Sequence, residues 1–189
     1  MGVQLLSGIV SGLITGSLLW LFTQLFNINA RKTLRIQSKR MKYYLASINN
    51  DLTWGTEDEN DEYYSFLINK IPFILQAVDS AKESISLFNF MCMRRLVMTQ
   101  LNEIQSGMEN MLLTVAGNET ESEKLYRLKS LAVQYQTGAS NILLLRAEFL
   151  EKITESNSIE SALSKMSYDD DNIEEIEALL CTQQTSNKQ

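Results

Sequence analysis

Val3–Phe26 reads VQLLSGIVSGLITGSLLWLFTQLF, 24 residues dominated by Leu, Ile, Val and Phe, and residues 1–30 as a whole carry no charged side chain. At about 1.5 Å rise per residue, a helix of that length exceeds the roughly 30 Å hydrocarbon core of a bilayer. The stretch therefore predicts a spanning helix with some tilt. A secretory signal peptide is the main competing reading, with a buried helix of a soluble core behind it. A signal peptide should carry a basic n-region, a shorter apolar run and a small-x-small cleavage site. No Lys or Arg precedes the run, and basic residues follow it at once.

Outward from the run, the charges are sharply divided. The chain has 189 residues and a formal net charge of −6. Residues 1–50 hold six basic side chains (Arg31, Lys32, Arg35, Lys39, Arg40 and Lys42) and no acid, which leaves 11 basic and 23 acidic residues, a net of −12, for the remainder. Basic residues flanking a span are retained on the cytoplasmic side. The cluster thus predicts an N-terminus outside a bacterial inner membrane and residues 31–189 in the cytoplasm. Trp20 and Phe26 lie near the inner end, where amphipathic rings anchor. The cluster serves as a topology signal, with attraction to anionic headgroups as its sharper reading.

Within the run, Gly8, Gly12 and Gly16 recur every four residues beside a parallel row of Ser7, Ser11 and Thr15. Four-residue spacing places each row on one helix face, where small side chains let another helix approach closely. The doubled row predicts self-association in the membrane. Gln4 and Gln24 can add interhelical hydrogen bonds or simply be solvated near the interfaces.

The rest of the chain predicts an all-α fold, an N-terminal single-pass helix followed by a cytoplasmic helical bundle. Residues 31–189 hold four Gly and the single Pro72, too few turn residues for a many-stranded sheet. The predicted units are a transmembrane segment (1–30), a basic membrane-proximal helix (31–52), a bundle (63–167) and an acidic C-terminal helix with its tail (168–189). Leu34, Met41, Leu45, Ile48 and Leu52 advance by sevens, threes and fours, which continues the first helix to about residue 52. An acidic loop, TWGTEDENDE (53–62), follows.

Tyr63 to Val78 form a second helical stripe that contains Pro72. Ser80 with Glu83 reads as a capping box opening a third helix, which includes the apolar LFNFMCM (87–93) and runs to Gly117. Thr120 with Glu123 is a second capping box. From there Leu125, Leu128, Ala132, Tyr135, Ala139, Ile142, Arg146, Phe149 and Ile153 alternate steps of three and four, a packing seam on one long helix. Arg146 has two open readings, a stem laid along the bundle with its guanidinium in water, or a pair with an acidic residue of another helix or subunit. A short helical signal at 159–166 precedes Asp169, Asp170 and Asp171, which complement the dipole of a last helix at 173–180. Ile173, Ile176, Leu179 and Leu180 make that helix a candidate docking peptide.

The absent chemistry bounds the function. The chain has no His and two Cys, which removes imidazole catalysis and a disulfide framework. It shows no Gly-rich phosphate loop, metal-ligand cluster or nucleophile elbow, so no cofactor, metal or enzymatic activity is expected. Cys92 reads as core packing, Asn118-Glu119-Thr120 as an unused glycosylation sequon, and the acidic 51–189 portion disfavours sequence-specific nucleic-acid binding.

Two functions remain, a homo-oligomeric, pore-forming membrane assembly and a single-pass adaptor that holds a cytoplasmic partner. An N-terminal span with a small-residue face, an immediate basic flank and about 150 residues of cytoplasmic helices resembles, at the level of architecture, the small membrane accessory proteins of type VI-B CRISPR loci. The resemblance implies association with an RNA-guided RNase and multimeric membrane pores that strengthen antiviral defence. The Arg/His pair sometimes sought in that family is missing here.

Overall fold

A computed structural model describes residues 2–54, 62–85, 91–117, 120–134, 136–137, 140–156 and 158–166. For residues 2–11, 51–54, 62–68, 91–93, 121, 125, 132, 136, 137 and 140 it describes the backbone alone. The architecture is all-α. In chain order it comprises α1 (Gly2–Trp54), α2 (Glu62–Ile85), α3 (Met91–Ala116), α4 (Glu121–Gln134), β1 (Gln136–Thr137), β2 (Ser140–Asn141), α5 (Ile142–Ile153) and α6 (Ile159–Leu163).

α1 runs unbroken through the apolar stretch and the basic cluster, about 80 Å at 1.5 Å per residue. Its burial changes at one point along that length. From residue 12 to residue 26 every side chain is exposed except Thr23, which is half-buried. From there Asn27, Ala30, Leu34, Ser38, Met41, Leu45 and Ile48 are buried at helical spacing. The predicted stripe through Ile48 is therefore the face that α1 gives to the bundle. Leu34, Met41, Leu45 and Ile48 of α1 share one hydrophobic core with residues of α2, α3 and α5. Among the described residues, no helix is long and apolar enough to cross a membrane. The predicted span Val3–Phe26 includes residues 3–11, whose side chains lie outside the description.

α2 packs on α1 and α3 and buries Ile71, Ile74, Ala77, Val78, Ala81 and Ile85. Pro72 lies inside the helix at an exposed position, and its missing N–H leaves one i→i−4 hydrogen bond of the helix unmade. Phe73 stacks on Tyr44 of α1 at 5.4 Å between ring centroids. The expected helix start at Ser80 is corrected. α2 continues to Ile85, and the Ser80 hydroxyl accepts from Gln37 Nε2 at 3.2 Å, joining α1 to α2 instead of capping a new helix.

α3 ends where expected, at Ala116 before Gly117. It buries Val97, Leu101, Ile104, Met108, Met111 and Val115, alternating steps of four and three. The Thr120–Glu123 capping box forms as predicted. Glu123 Oε2 accepts from Thr120 N at 3.0 Å, and Thr120 Oγ1 accepts from Glu123 N at 3.4 Å.

The single long helix expected from Thr120 to Ile153 is also corrected. It is two helices, and between them Gln136–Thr137 pairs antiparallel with Ser140–Asn141. Asn141 restarts the chain as the N-cap of α5, its Oδ1 accepting from Leu144 N at 3.1 Å. Its Nδ2 donates to Asn49 Oδ1 of α1 at 3.2 Å. α5 is wedged between α1 and α3 and buries Leu143, Leu145, Ala147, Phe149, Leu150 and Ile153, more than half its circumference. α6, capped by Ser158, contributes the buried Ala162. The acidic loop, the 87–90 segment, Cys92, the sequon and all of 168–189 fall outside the described residues or their described side chains.

Candidate functional site

Among the described residues, the longest run that no core covers is residues 12–26 of α1. Leu13, Ile14, Leu18, Leu19, Trp20, Leu21, Phe22, Leu25 and Phe26 are each about half or more exposed, with Leu13 at 67% and Trp20 at 62%. They point in all directions around the helix. An amphipathic surface helix would turn such residues to one side. A Cβ built on Gly12 or Gly16 meets nothing within 4 Å, so this face is open to close approach by another helix. Thr15 is exposed beside them. Ser7, Gly8 and Ser11 continue both rows on the same helical backbone, with their surroundings outside the description.

Where α1 enters the bundle, the structure divides the six basic residues. Arg35, Lys39 and Lys42 share one face by their spacing of four and three, and that face meets α5 and the turn after it. Arg35 Nη2 lies 2.5 Å from Glu155 Oε1, and Lys39 Nζ lies 3.7 Å from Glu151. Lys42 Nζ is 3.6 Å from Glu148 and 3.7 Å from Glu151. The carboxylates of Glu148 and Glu151 are only 12% exposed at the side chain. Half of the predicted topology cluster is thus occupied within the bundle. Sequence reasoning missed the three glutamates. Their signal was present, since 148, 151 and 155 repeat the three-and-four spacing of 35, 39 and 42 with opposite charge.

The other three basic residues differ. Lys32 and Arg40 are exposed, while Arg31 is half-buried and lines a small hollow of about 10 Å³ with Arg94 of α3. Its other walls are Leu34, Ile85, Val97, Ile153 and Thr154. Arg94 did not emerge from the sequence reading because its relation to the first helix is purely tertiary.

The predicted seam is partly assembled. Leu128, Phe149 and Ile153 are buried in the core, while Ile142 and Arg146 are half-buried. For Leu125 and Ala132 only the backbone is described, and Tyr135 and Ala139 lie outside the described residues. The helix break at 136–141 means that the seam is not one continuous face. Arg146 donates from Nη1 to the Oε1 of Gln100, itself buried on α3. Burial pushes the guanidinium below its ordinary pKa, and Glu103 partly offsets this. The hydrogen-bond partner is thus a neutral amide of α3, and the acidic Glu103 on the same helix acts on the guanidinium charge.

Among the described residues no group of acidic or sulfur side chains could hold a metal ion. No family model, curated protein or solved structure matches this chain.

Proposed function

We propose that this chain is a homo-oligomeric protein of the bacterial inner membrane. In this reading the N-terminal half of α1 spans the bilayer, its N-terminus lies outside, and the bundle faces the cytoplasm. The observation that carries it is the all-round exposure of large apolar side chains over residues 12–26. Apolar surface of that extent on a helix otherwise continuous with a well-packed bundle is covered by lipid or by other copies. A helix satisfies its own backbone hydrogen bonds, as a membrane requires. The open Gly12/Gly16 face supports side-by-side packing of copies, and a ring of such helices is the pore-forming form of the proposal. Its place in antiviral defence beside an RNA-guided nuclease rests on the architectural resemblance.

Fractionation tests the anchoring. The full chain should stay with membranes through alkaline carbonate extraction, and a variant lacking residues 1–26 should be released as a folded helical bundle. Release of the full chain would refute the anchoring.

The adaptor is the second reading, favoured by Leu113 on α3 and Tyr126 and Val133 on α4, which are exposed by 71%, 76% and 66%. Membrane potential separates the two. A pore depolarises cells on induced expression with its trigger, and an adaptor leaves the potential unchanged.

A further inference from the structure

The end of the bundle from which the apolar half of α1 emerges carries an arginine pair that the sequence does not bring together. Arg31 lies on α1, five residues or about 7.5 Å along the axis from Phe26. Arg94 lies in the first turn of α3, 63 positions further on in sequence. Both line the same hollow, whose walls are apolar. Of the carboxylates in the described residues, Glu148, Glu151 and Glu155 are committed to Lys42, Lys39 and Arg35, and none forms an ion pair with Arg31 or Arg94. Among the described residues, ion pairs thus occupy the basic row along the α1–α5 contact, and Arg31 and Arg94 lie at the end nearest the apolar helix.

We propose that Arg31 and Arg94 form a headgroup clamp that takes the phosphate of an anionic phospholipid at the cytoplasmic face of the bilayer. The assignment rests on the membrane reading of residues 3–26. A guanidinium presents its donors in a planar fork that matches phosphate bidentately. Two forks from different helices, held apart by a rigid apolar wall, fix one phosphate between them. The hollow has room for about one water molecule and its lining surface is apolar, so the phosphate lies at its rim, with the arginine stems contributing to the wall. The first-turn N–H groups of α3 add a favourable dipole on the Arg94 side. Depth agrees as well, since placing residues up to Phe26 in hydrocarbon leaves Arg31 at headgroup level.

Trp20, which is 62% exposed within the apolar segment, reports on neighbouring lipid once Trp54 is replaced by Phe. The test reconstitutes the full-length Trp54→Phe protein in vesicles containing brominated phosphatidylglycerol or brominated phosphatidylcholine, and reads relative lipid affinity from quenching. The expected result is a preference for phosphatidylglycerol of roughly fivefold or more for each arginine engaged. It should collapse toward unity in Arg31→Gln/Arg94→Gln and fall part-way in Arg94→Gln alone, where the changed side chain is exposed and the fold undisturbed. Arg40→Gln should keep the full preference, because Arg40 lies about 13 Å further along α1, beyond a Debye length at physiological salt. Millimolar inorganic phosphate should leave the preference intact.

Equal quenching by both lipids, or an equal loss in Arg40→Gln, overturns the clamp while leaving the span standing. A preference erased by inorganic phosphate assigns the arginines to a soluble anion and overturns the lipid assignment. No quenching by either lipid overturns the span, and the clamp with it.

Discussion

Glu151 lies where the two halves of the charge arrangement meet, and neutralising it tests how the bundle holds α1. Glu151→Gln keeps the shape and removes the carboxylate that Lys39 and Lys42 share at 3.7 Å each. Exposed ion pairs contribute about 0.2–1 kcal/mol. With its side chain 12% exposed, Glu151 belongs at the upper end of that range for both pairs, which gives about 1–2 kcal/mol. For a chain of this size 1 kcal/mol corresponds to about 2–4 °C, so the melting temperature should fall by about 2–8 °C. Glu148 and Glu155 oppose this estimate, because they lie three and four residues away on the same side and repel Glu151.

Thermal unfolding followed by circular dichroism in mild nonionic detergent at low ionic strength reads the balance. The deficit should shrink in 1 M salt, where the Debye length falls to about 3 Å, without vanishing for so covered a pair. Glu148→Gln/Glu151→Gln, which frees Lys42 completely, should destabilise further. An unchanged or raised melting temperature for Glu151→Gln would show that self-repulsion along the acidic row outweighs its contacts to α1. The account of the α1–α5 contact would then be wrong.

Three further predictions concern the bundle alone. Phe149 of α5 is fully buried in the core, so Phe149→Ala should cost about 3–5 kcal/mol in denaturant unfolding, and a cost under about 1 kcal/mol would place the side chain elsewhere. Gln100→Leu leaves the half-buried Arg146 guanidinium without its amide acceptor and should cost about 1–3 kcal/mol, while Gln100→Leu/Arg146→Met, which removes both polar partners, should recover most of the loss. The Glu123 carboxyl is held below its ordinary pKa by the Thr120 hydroxyl, then the Thr120 backbone N–H, with Arg127 adding to both. A depressed folded-state pKa stabilises above the unfolded value, about 4.3, and that contribution is lost as pH falls through the folded one. Acidification below about pH 4 should therefore cost helicity that a Glu123→Gln variant does not lose over the same interval.

How much of this was legible depended on whether the determining contacts were local. The α1 stripe, the end of α3 before Gly117 and the Thr120–Glu123 box could be read because spacing and capping act within a few residues. The break at 136–141 was hidden by its brevity, as Tyr135, Ala139 and Ile142 keep the three-and-four count across it. Gly138 in QTGAS and the capping type of Asn141 were the signals against a continuous helix. Ser80 misled for a related reason, since a Ser three residues before a Glu marks a helix start only when the chain before it is not already helical. The exposed half of α1 was legible from composition. The fate of the basic cluster was not, because a residue's opposite charge can be bilayer, solvent or another helix. Only folding placed Glu148, Glu151 and Glu155 opposite it and brought Arg94 beside Arg31.

The central claim is that the exposed half of α1 joins copies of this chain within a membrane, and the mass of the detergent-solubilised protein tests it most directly. Light scattering coupled to size exclusion should give one species of several protomers after correction for bound detergent. Gly12→Leu/Gly16→Leu should reduce it to monomer. A Cβ at either glycine meets nothing within 4 Å among the described residues, so bundle stability should be unchanged and the effect confined to association. A monomeric native protein in mild detergent, or an assembly indifferent to both leucines, would contradict the account.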